Sequence, residues 1–180
     1  AGGPFLEVLL GRGIDLETIR DFNIGYAPAE NNKFLRHMQS LEFSEKELIA
    51  AGLIKQSKSS YGSGVYSFFR DRIMIPIHNS RSKVVAFGGR SIPGLSEGAS
   101  QSDSTNKKVP KYINTSETPV YKKSKALYGL PFARSSIQRQ YRVIIVEGYF
   151  DVIAMHRNGF KETVATCGTA LTEEHLSILR

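Results

Sequence analysis

The amino-acid sequence predicts an α/β protein, in which a mixed α+β part is followed by the opening of a parallel β-sheet. The main observation is the order from Tyr141 onward, where the apolar runs "YRVIIV" and "ETVATCG" alternate with two helical patterns. Such alternation is typical of βαβ units. A second observation is that short helical patterns precede β-branched and aromatic runs in the first 140 residues. We therefore divide the chain into residues 1–140 and residues 141–180.

The first 53 residues predict four short helices. The stretches "FLEVLLGR" and "KFLRHMQSL" have helical apolar spacing, and "DLETIRDF" begins with Asp15 as a candidate N-cap. In "SEKELIAAGL", Ser44 and Glu47 have the spacing of a capping box. The stretch "GYAPAENN" between these helices is predicted to be a loop, because Gly, Pro and Asn dominate it.

The middle of the chain predicts a β-hairpin. Its arms are "YSFFRDRIMIPIHN" and "KVVAFGGRSI", joined by a short polar turn, and Pro76 predicts an edge or an irregularity in the first arm. Gly88 and Gly89 predict either a close approach of a ligand to the backbone, or a bulge. Residues 94–109 are rich in Ser, Gly and Asn and predict a mobile surface loop. The segment after it is rich in turns and ends in a predicted short helix near "ALYGLPFA".

The net charge of +7 is concentrated in one block. Residues 67–142 hold 14 Lys/Arg against 4 Asp/Glu, whereas the segments before and after are slightly acidic. Such a block indicates a polyanionic partner, and the alternative is a lysine-rich surface that only interacts with solvent.

Several classes of protein are excluded by composition. No apolar run approaches the roughly 18 residues of a membrane span, so we expect no membrane partner. The single Cys167 excludes an internal disulfide and predicts a reducing, cytoplasmic location. One Cys and four scattered His residues lack the spacing of zinc ligands.

Two carboxylates follow the apolar run that ends at Val146. Glu147 comes first, Gly148 leaves room for a sharp turn or a ligand, and Asp151 lies one helical turn further on. Ligands bind at the carboxyl ends of parallel strands, and paired carboxylates suit Mg²⁺. The alternative is that both acids only stabilise the N-terminus of the next helix. Gly168 ends the next predicted strand and is expected to shape the same site.

Four ordered stretches carry a resemblance to a known family. "VEGYFDVIAMHRNGFKETVATCGTALTEEH" resembles the start of a TOPRIM domain. Together with "GRGIDLETIRDFNIGYAP", "RDRIMIPIHNSRSKVVAFGGR" and "PKYINTSETPVYKKSKALYGL", it resembles the RNA-polymerase catalytic domain of bacterial DNA primases of the DnaG type. The resemblance covers nearly the whole chain and implies a basic N-terminal subdomain followed by a truncated TOPRIM subdomain.

The resemblance implies template-directed synthesis of short RNA primers on single-stranded DNA. Glu147 would be catalytic and, with Asp151, a metal ligand. Lys111 and Lys123 would be catalytic and bind the nucleotide, with Lys111 also contacting nucleic acid.

Four arginines complete the implied site. Arg12 and Arg90 would hold the template. Arg70 and Arg72 would be secondary template contacts, or alternatively exposed residues on a strand edge.

The same resemblance implies cofactors and partners. These are Mg²⁺ or Mn²⁺, ribonucleoside triphosphates, a single-stranded DNA template, and a replicative helicase bound through a C-terminal region outside this chain. Zinc is implied only for an N-terminal module that is also outside it. A TOPRIM site further needs an Asp-x-Asp pair, which does not occur in the sequence, so we expect this chain alone not to make primers.

Two other functions stay open. One is another TOPRIM enzyme, such as a phage-type helicase-primase or a topoisomerase, although no residue is marked as a transesterifying tyrosine. The other is a non-catalytic module that binds single-stranded DNA.

Overall fold

The computed structural model describes residues 3–57, 64–92 and 110–180. The helices are α1 Gly3–Leu10, α2 Leu16–Asp21, α3 Asn31–Ser40, α4 Glu45–Ala50, α5 Leu130–Gln140, α6 Tyr149–Arg157 and α7 Glu173–Leu179. The strands are β1 Gly25–Ala27, β2 Ile54–Gln56, β3 Val65–Ser67, β4 Arg72–His78, β5 Val84–Ser91, β6 Tyr112–Asn114, β7 Ile144–Val146 and β8 Thr163–Ala165. A short 3₁₀ helix spans Lys123–Lys125. The loop predicted at 94–109 lies outside the described residues.

The four predicted N-terminal helices are confirmed, together with their start signals. Asp15 precedes α2, and its Oδ1 accepts a hydrogen bond from the backbone N of Thr18 at 2.8 Å. Before α4, the Glu47 carboxylate accepts from the Ser44 backbone N at 2.8 Å, and Ser44 Oγ accepts from the Glu47 N. These side chains satisfy backbone donors that the first helical turn leaves free.

An antiparallel sheet with the order β1-β4-β5-β6 forms the middle of the molecule. The predicted hairpin is its β4–β5 pair. The prediction that "GYAPAENN" is only a loop was wrong at its start, because β1 pairs with β4 there and aligns Tyr26 with Ile73. The Tyr26 hydroxyl also donates to Asp71 at 2.8 Å, which holds β1 against the sheet.

The first predicted arm of the hairpin is divided into two strands. β3 pairs with β2 in a separate two-stranded sheet, while β4 belongs to the larger sheet. Asp71 lies between them with a φ of 48°, and this left-handed conformation redirects the chain. Pro76 pairs with Phe87 of β5 beyond the residues that pair with β1, and the register shifts just after it. The predicted edge-like irregularity at Pro76 is therefore confirmed.

The predicted parallel pair is confirmed, with shorter strands. β7 and β8 align Ile144 with Thr163 and Val146 with Ala165. β8 ends before the predicted Gly168 because Cys167 and Gly168 have φ angles of 53° and 89°. The predicted short helix before β7 is α5, which has 11 residues.

The two parts of the chain share one hydrophobic core. Tyr128 donates its backbone N–H to the carbonyl of Ala165 at 2.9 Å and accepts from the Ala165 N–H at 3.0 Å, so the N-terminal part bridges to β8. The buried core cluster contains residues from both parts: Leu9, Ile14, Phe22, Ile24, Ile73, Ile75, Ile77, Ala86, Ile92, Tyr121, Tyr128, Tyr149, Val152, Ile153, Ala165 and Cys167. Among the described residues, no helix has the length and apolarity needed to cross a membrane.

Candidate active site at the end of the parallel strands

A cleft of about 550 Å³ opens where the parallel pair meets the antiparallel sheet. Tyr112 and Asn114 of β6 line one side. The other side is formed by residues 147–149, 151 and 166–170, which follow β7 and β8. The carboxyl ends of parallel strands meet at one edge of a sheet, and this edge is where such folds bind ligands.

Glu147 is the first residue after β7, and its side chain is exposed at the cleft. The parallel pairing brings it to the same edge as Gly168, as the sequence predicts. An exposed carboxylate has little desolvation cost and is free to accept a cation.

Asp151 also lines the cleft, but part of its carboxylate is already engaged. Its Oδ2 accepts a hydrogen bond from the backbone N of Gly148 at 3.0 Å, at the start of α6. A Cβ at Gly148 would lie 2.9 Å from that same oxygen, so the glycine leaves room for this cap. The alternative role at a helix N-terminus is thus realised for Asp151 through one oxygen, while the residue also lines the cleft.

The side chains at this edge are of the type that binds a divalent cation, but they are too few to hold one alone. Glu147 and Asp151 offer carboxylate oxygens, the ligands that Mg²⁺ prefers. Within residues 3–57, 64–92 and 110–180, however, no three His, Cys, Asp or Glu side chains are grouped so that they could hold a metal ion. These two acids alone would leave most of the coordination to other groups.

A hydrogen-bonded chain joins the two sides of the cleft. The Tyr149 hydroxyl donates to Asn114 Oδ1 at 2.9 Å, and Asn114 Nδ2 donates to the carbonyl of Cys167 at 2.9 Å. Tyr149 is buried, and its burial raises the pKa of the phenol far above its usual range. Sequence reasoning missed this residue, although an aromatic side chain directly after Glu147-Gly148 was a signal that the cleft would have an aromatic anchor.

The role expected for the paired glycines of β5 was wrong. A Cβ at Gly88 would lie 2.5 Å from Cζ of Tyr149, and a Cβ at Gly89 would lie 2.7 Å from the ring of Phe69. Both glycines are buried and give room to protein side chains, so neither is open to nucleic acid. The register of β5 against β6 is regular here, which also excludes a bulge.

Gly168 is exposed, lines the cleft and has a left-handed conformation. Its Cβ would make only an ordinary contact, 3.7 Å from Asn114 Nδ2, so the φ of 89° and not space favours glycine. The neighbouring Cys167 is buried, and this burial raises the pKa of its thiol far above the usual range.

The two predicted template arginines lie beside one aromatic ring. The guanidinium carbon of Arg12 is 5.6 Å from the centroid of the Phe150 ring, and that of Arg90 is 5.2 Å from it. Arg12 is exposed, whereas Arg90 is buried and donates from Nη1 to the Tyr112 hydroxyl at 3.2 Å. Tyr112 also lines the cleft, so Arg90 borders it through this contact.

Arg70 and Arg72 have different environments. Arg70 is exposed, and its guanidinium carbon lies 5.3 Å from the centroid of the Tyr66 ring. Arg72 is buried, and its Nη1 donates to the carbonyls of Gly89 at 3.3 Å and Pro110 at 3.0 Å. The alternative that Arg72 is exposed on a strand edge was wrong, because the sheet continues on both sides of it.

The two predicted lysines are not among the residues that line the cleft. Lys111 is exposed next to Tyr112. Lys123 begins the 3₁₀ helix, where its backbone N donates to Glu117 at 3.2 Å and its carbonyl accepts from Nε2 of the buried His175 at 3.1 Å. Sequence reasoning missed His175, which fixes the backbone of Lys123 against α7.

Comparison with family models covers both parts of the chain. A model described as "DNA primase catalytic core, N-terminal domain" matches residues 2–134. A model described as "Toprim domain" matches residues 142–180.

Curated relatives give the same result. The chain is 42% identical over 177 residues to a DNA primase of Deinococcus radiodurans, which covers 98% of this chain and 28% of that protein. It is 44% identical over 171 residues to a DNA primase of Rickettsia conorii, covering 95% of this chain and 26% of the relative. The chain thus spans little more than a quarter of the length of these relatives.

Solved structures share the fold. The RNA polymerase domain of the Mycobacterium tuberculosis primase DnaG superposes with a TM-score of 0.84 at 37% identity, covering 98% of this chain and 53% of that one. A DnaG primase catalytic domain bound to single-stranded DNA superposes with a TM-score of 0.79 at 32% identity, covering 98% and 50%. The chain therefore belongs to the family of bacterial DNA primase catalytic cores, with their N-terminal domain followed by Toprim sequence.

Proposed function

We propose that this chain forms part of a primase that copies single-stranded DNA into short RNA primers. The observation that carries this proposal is the cleft in which Glu147, at the end of β7, faces β6 of the basic sheet. The likeness to a primase catalytic domain whose structure contains single-stranded DNA supports it. The same proposal implies that the protein is located in the cytoplasm, because bacterial DNA is replicated there.

We propose the following roles for the basic side chains of the site. Lys111 and Lys123 would contact the nucleoside triphosphate, where cationic groups offset the charge that develops during phosphoryl transfer. Support comes from the anchored backbone of Lys123, since a fixed 3₁₀ helix limits the positions of the ammonium group. Arg12 and Arg90 would contact the phosphates of the template without reading its bases.

The other two arginines would act differently from each other. Arg70 is exposed and would be a secondary template contact. Arg72 is buried and donates to the carbonyls of Gly89 and Pro110. We therefore propose that it supports β5, which carries Arg90, and the segment before β6, which carries Lys111.

Membership of the Toprim and primase families implies a divalent metal ion, which we propose to be Mg²⁺ or Mn²⁺. Glu147 and the second oxygen of Asp151 would contribute to holding it, with further ligands from substrate phosphates and from residues of the larger protein. When bound, the ion would supply charge stabilisation to the triphosphate. Zinc and the replicative helicase would be bound by parts of the larger protein outside this chain.

The test is primer synthesis on a single-stranded template with ribonucleoside triphosphates and Mg²⁺ or Mn²⁺. The protein assayed is a hybrid, the Deinococcus radiodurans primase in which this chain replaces the matching residues, with the unaltered relative as reference. Glu147→Gln is expected to reduce synthesis by about 100-fold or more, because the carboxylate charge is lost. Glu7→Gln, at an exposed carboxylate on α1, is the control and should leave synthesis unchanged. Equal synthesis by the hybrid with and without the Glu147→Gln change would refute the proposed role of the cleft.

A second candidate is the non-catalytic module that binds single-stranded DNA. The finding that favours it is the lack of a three-acid group among the described residues. It predicts DNA binding that weakens with salt but is unaffected by Mg²⁺ or by Glu147→Gln, together with no RNA synthesis in the hybrid protein.

A further inference from the structure

Arg12, Arg90, Tyr112 and Phe150 form a group that we call the arginine–aromatic cluster. The Phe150 ring is shared by the two arginines, with centroid distances of 5.6 Å to Arg12 and 5.2 Å to Arg90. Arg90 also lies 5.5 Å from the centroid of the Tyr112 ring and donates to its hydroxyl. All of these distances are within the roughly 6 Å at which a ring attracts a cation.

The cluster has positive charge without a counter-charge. Neither Arg12 nor Arg90 has a carboxylate within 4.0 Å in the described part of the chain. Arg90 is only 4% exposed, and its buried Nε has no hydrogen-bond partner among the described residues. Burial lowers the pKa of Arg90, and the nearby charge of Arg12 lowers it further. The two guanidiniums therefore repel each other, and something other than an acid has to hold them side by side.

Phe150 meets this requirement. The ring attracts both guanidiniums through its quadrupole, yet it leaves their charge intact, whereas a carboxylate would neutralise it and repel a phosphate. The ring is also held in place, because Phe150 is the second residue of α6 and follows Tyr149, whose hydroxyl and ring are fixed by Asn114 and Gly88.

We propose that Phe150 is a positioning residue, whose ring holds Arg12 and Arg90 together so that they bind phosphates of a single-stranded DNA backbone as a pair. The role of the two arginines rests on the proposed function. The assignment of Phe150 goes beyond it, since this residue is uncharged and is not among the residues that line the cleft.

The first test is DNA binding by the 180-residue chain, measured by fluorescence anisotropy with labelled oligothymidylate at several KCl concentrations. Phe150→Leu keeps an apolar side chain but removes the ring, and we expect affinity to fall about 3- to 30-fold at low salt, as expected for one or two cation–π contacts. The slope of affinity against salt should also fall, because fewer phosphates are neutralised. Phe150→Tyr keeps the ring and should bind within about twofold of the unaltered chain.

The matched control is Phe160→Leu. Phe160 is 45% exposed and lies just after α6, and its ring is not the one that either Arg12 or Arg90 contacts. Phe160→Leu should change neither the affinity for oligothymidylate nor the slope of that affinity against salt. Wild-type affinity in Phe150→Leu, or an equal loss in Phe150→Leu and Phe150→Tyr, would overturn the proposal, since in the second case only packing would be involved.

The second test does not depend on DNA. The Nε–Hε signals of Arg12 and Arg90 are recorded by ¹H–¹⁵N NMR and assigned with Arg12→Lys and Arg90→Lys. The Phe150 ring should shift both signals, Phe150→Leu should move them, and Phe150→Tyr should restore them. If the signals respond but the unaltered chain binds no DNA, the proposed function fails while the positioning of the arginines stands. If neither signal moves in Phe150→Leu, the positioning role itself is refuted.

Discussion

The charged residues on the two sides of the cleft differ in their burial. In the antiparallel sheet, Arg72 and Arg90 are buried among strands and rings, and burial lowers the pKa of both. At the end of the parallel pair, Glu147 and Asp151 are exposed. The sheet therefore holds these two cations in fixed positions by packing, whereas the strand end keeps its acids open to solvent. Close packing fixes the geometry of the cations on the first side, and the acids on the second side stay free to bind.

This comparison predicts that small changes in the sheet cost more stability than changes at the cleft. The largest effect is expected for Gly88→Ala, since the new Cβ would lie 2.5 Å from Tyr149. Because Tyr149 is buried and cannot move freely, we expect a loss of about 2–3 kcal/mol in the free energy of unfolding. Urea denaturation measures it.

Gly25→Ala is the control in the same sheet. Its Cβ would lie 3.9 Å from the Met74 Cβ, an ordinary contact, so the change should be within about 0.5 kcal/mol. Equal losses for Gly88→Ala and Gly25→Ala would show that space for Tyr149 is not the cause.

The next effect concerns the contact that joins the two sides. Tyr149→Phe removes the hydroxyl that donates to Asn114 and leaves the Asn114 oxygen without this donor. We expect a loss of about 1–2 kcal/mol in unfolding free energy. Tyr141→Phe, at a side chain that is 96% exposed, should be neutral in the same denaturation experiment. A neutral Tyr149→Phe would mean that water replaces the phenol at Asn114.

A smaller effect is expected on the cleft side from Gly168→Ala. The cost comes from the φ of 89° alone, and we expect about 1 kcal/mol. Gly159→Ala has the same φ, no neighbour within 4 Å and a position outside the cleft lining, so its loss of stability should be similar. Only Gly168→Ala should also reduce primer synthesis in the hybrid protein. If both variants reduced primer synthesis, the effect of Gly168→Ala could not be assigned to its position in the cleft.

The last prediction concerns the pH dependence of stability, at an acid that lies at the opposite end of the parallel pair from the cleft. Hydrogen bonds from Arg142 hold the pKa of Glu162 below its ordinary value of 4.5. A lowered pKa means that the unfolded chain takes up the proton first, so the stabilisation is full above about pH 4.5 and is lost as the pH falls through the folded pKa. Glu162→Gln and Arg142→Gln should both flatten the acid limb of stability against pH, measured by thermal unfolding from about pH 3 to 7. An unchanged acid limb in either variant would contradict this.

Much of the fold follows from local sequence. The capping pairs at Asp15 and Ser44 mark helix starts, and the apolar runs before Glu147 and Gly168 predict the parallel pair, because these signals act within a few residues. The position of Glu147 at the strand end was predictable for the same reason. The roles of Arg12, Arg90, Lys111 and Lys123 remain proposals.

The parts that were missed depend on contacts between distant residues. Gly88 and Tyr149 are 61 positions apart, and no local pattern in β5 indicates which ring its glycines must accommodate. The burial of Arg72 likewise depends on β1, a three-residue strand with no periodicity to detect. The Tyr149–Asn114–Cys167 chain arises from three elements that meet only after folding.

The backbone bridge from Tyr128 to Ala165 has a consequence for folding cooperativity. Because the strand-like contact of Tyr128 extends the parallel pair from outside residues 141–180, β8 cannot open without also releasing the segment before α5. We therefore expect that the family boundary near residue 140 does not separate independent folding units, and that residues from both sides of it exchange their amide hydrogens as one unit.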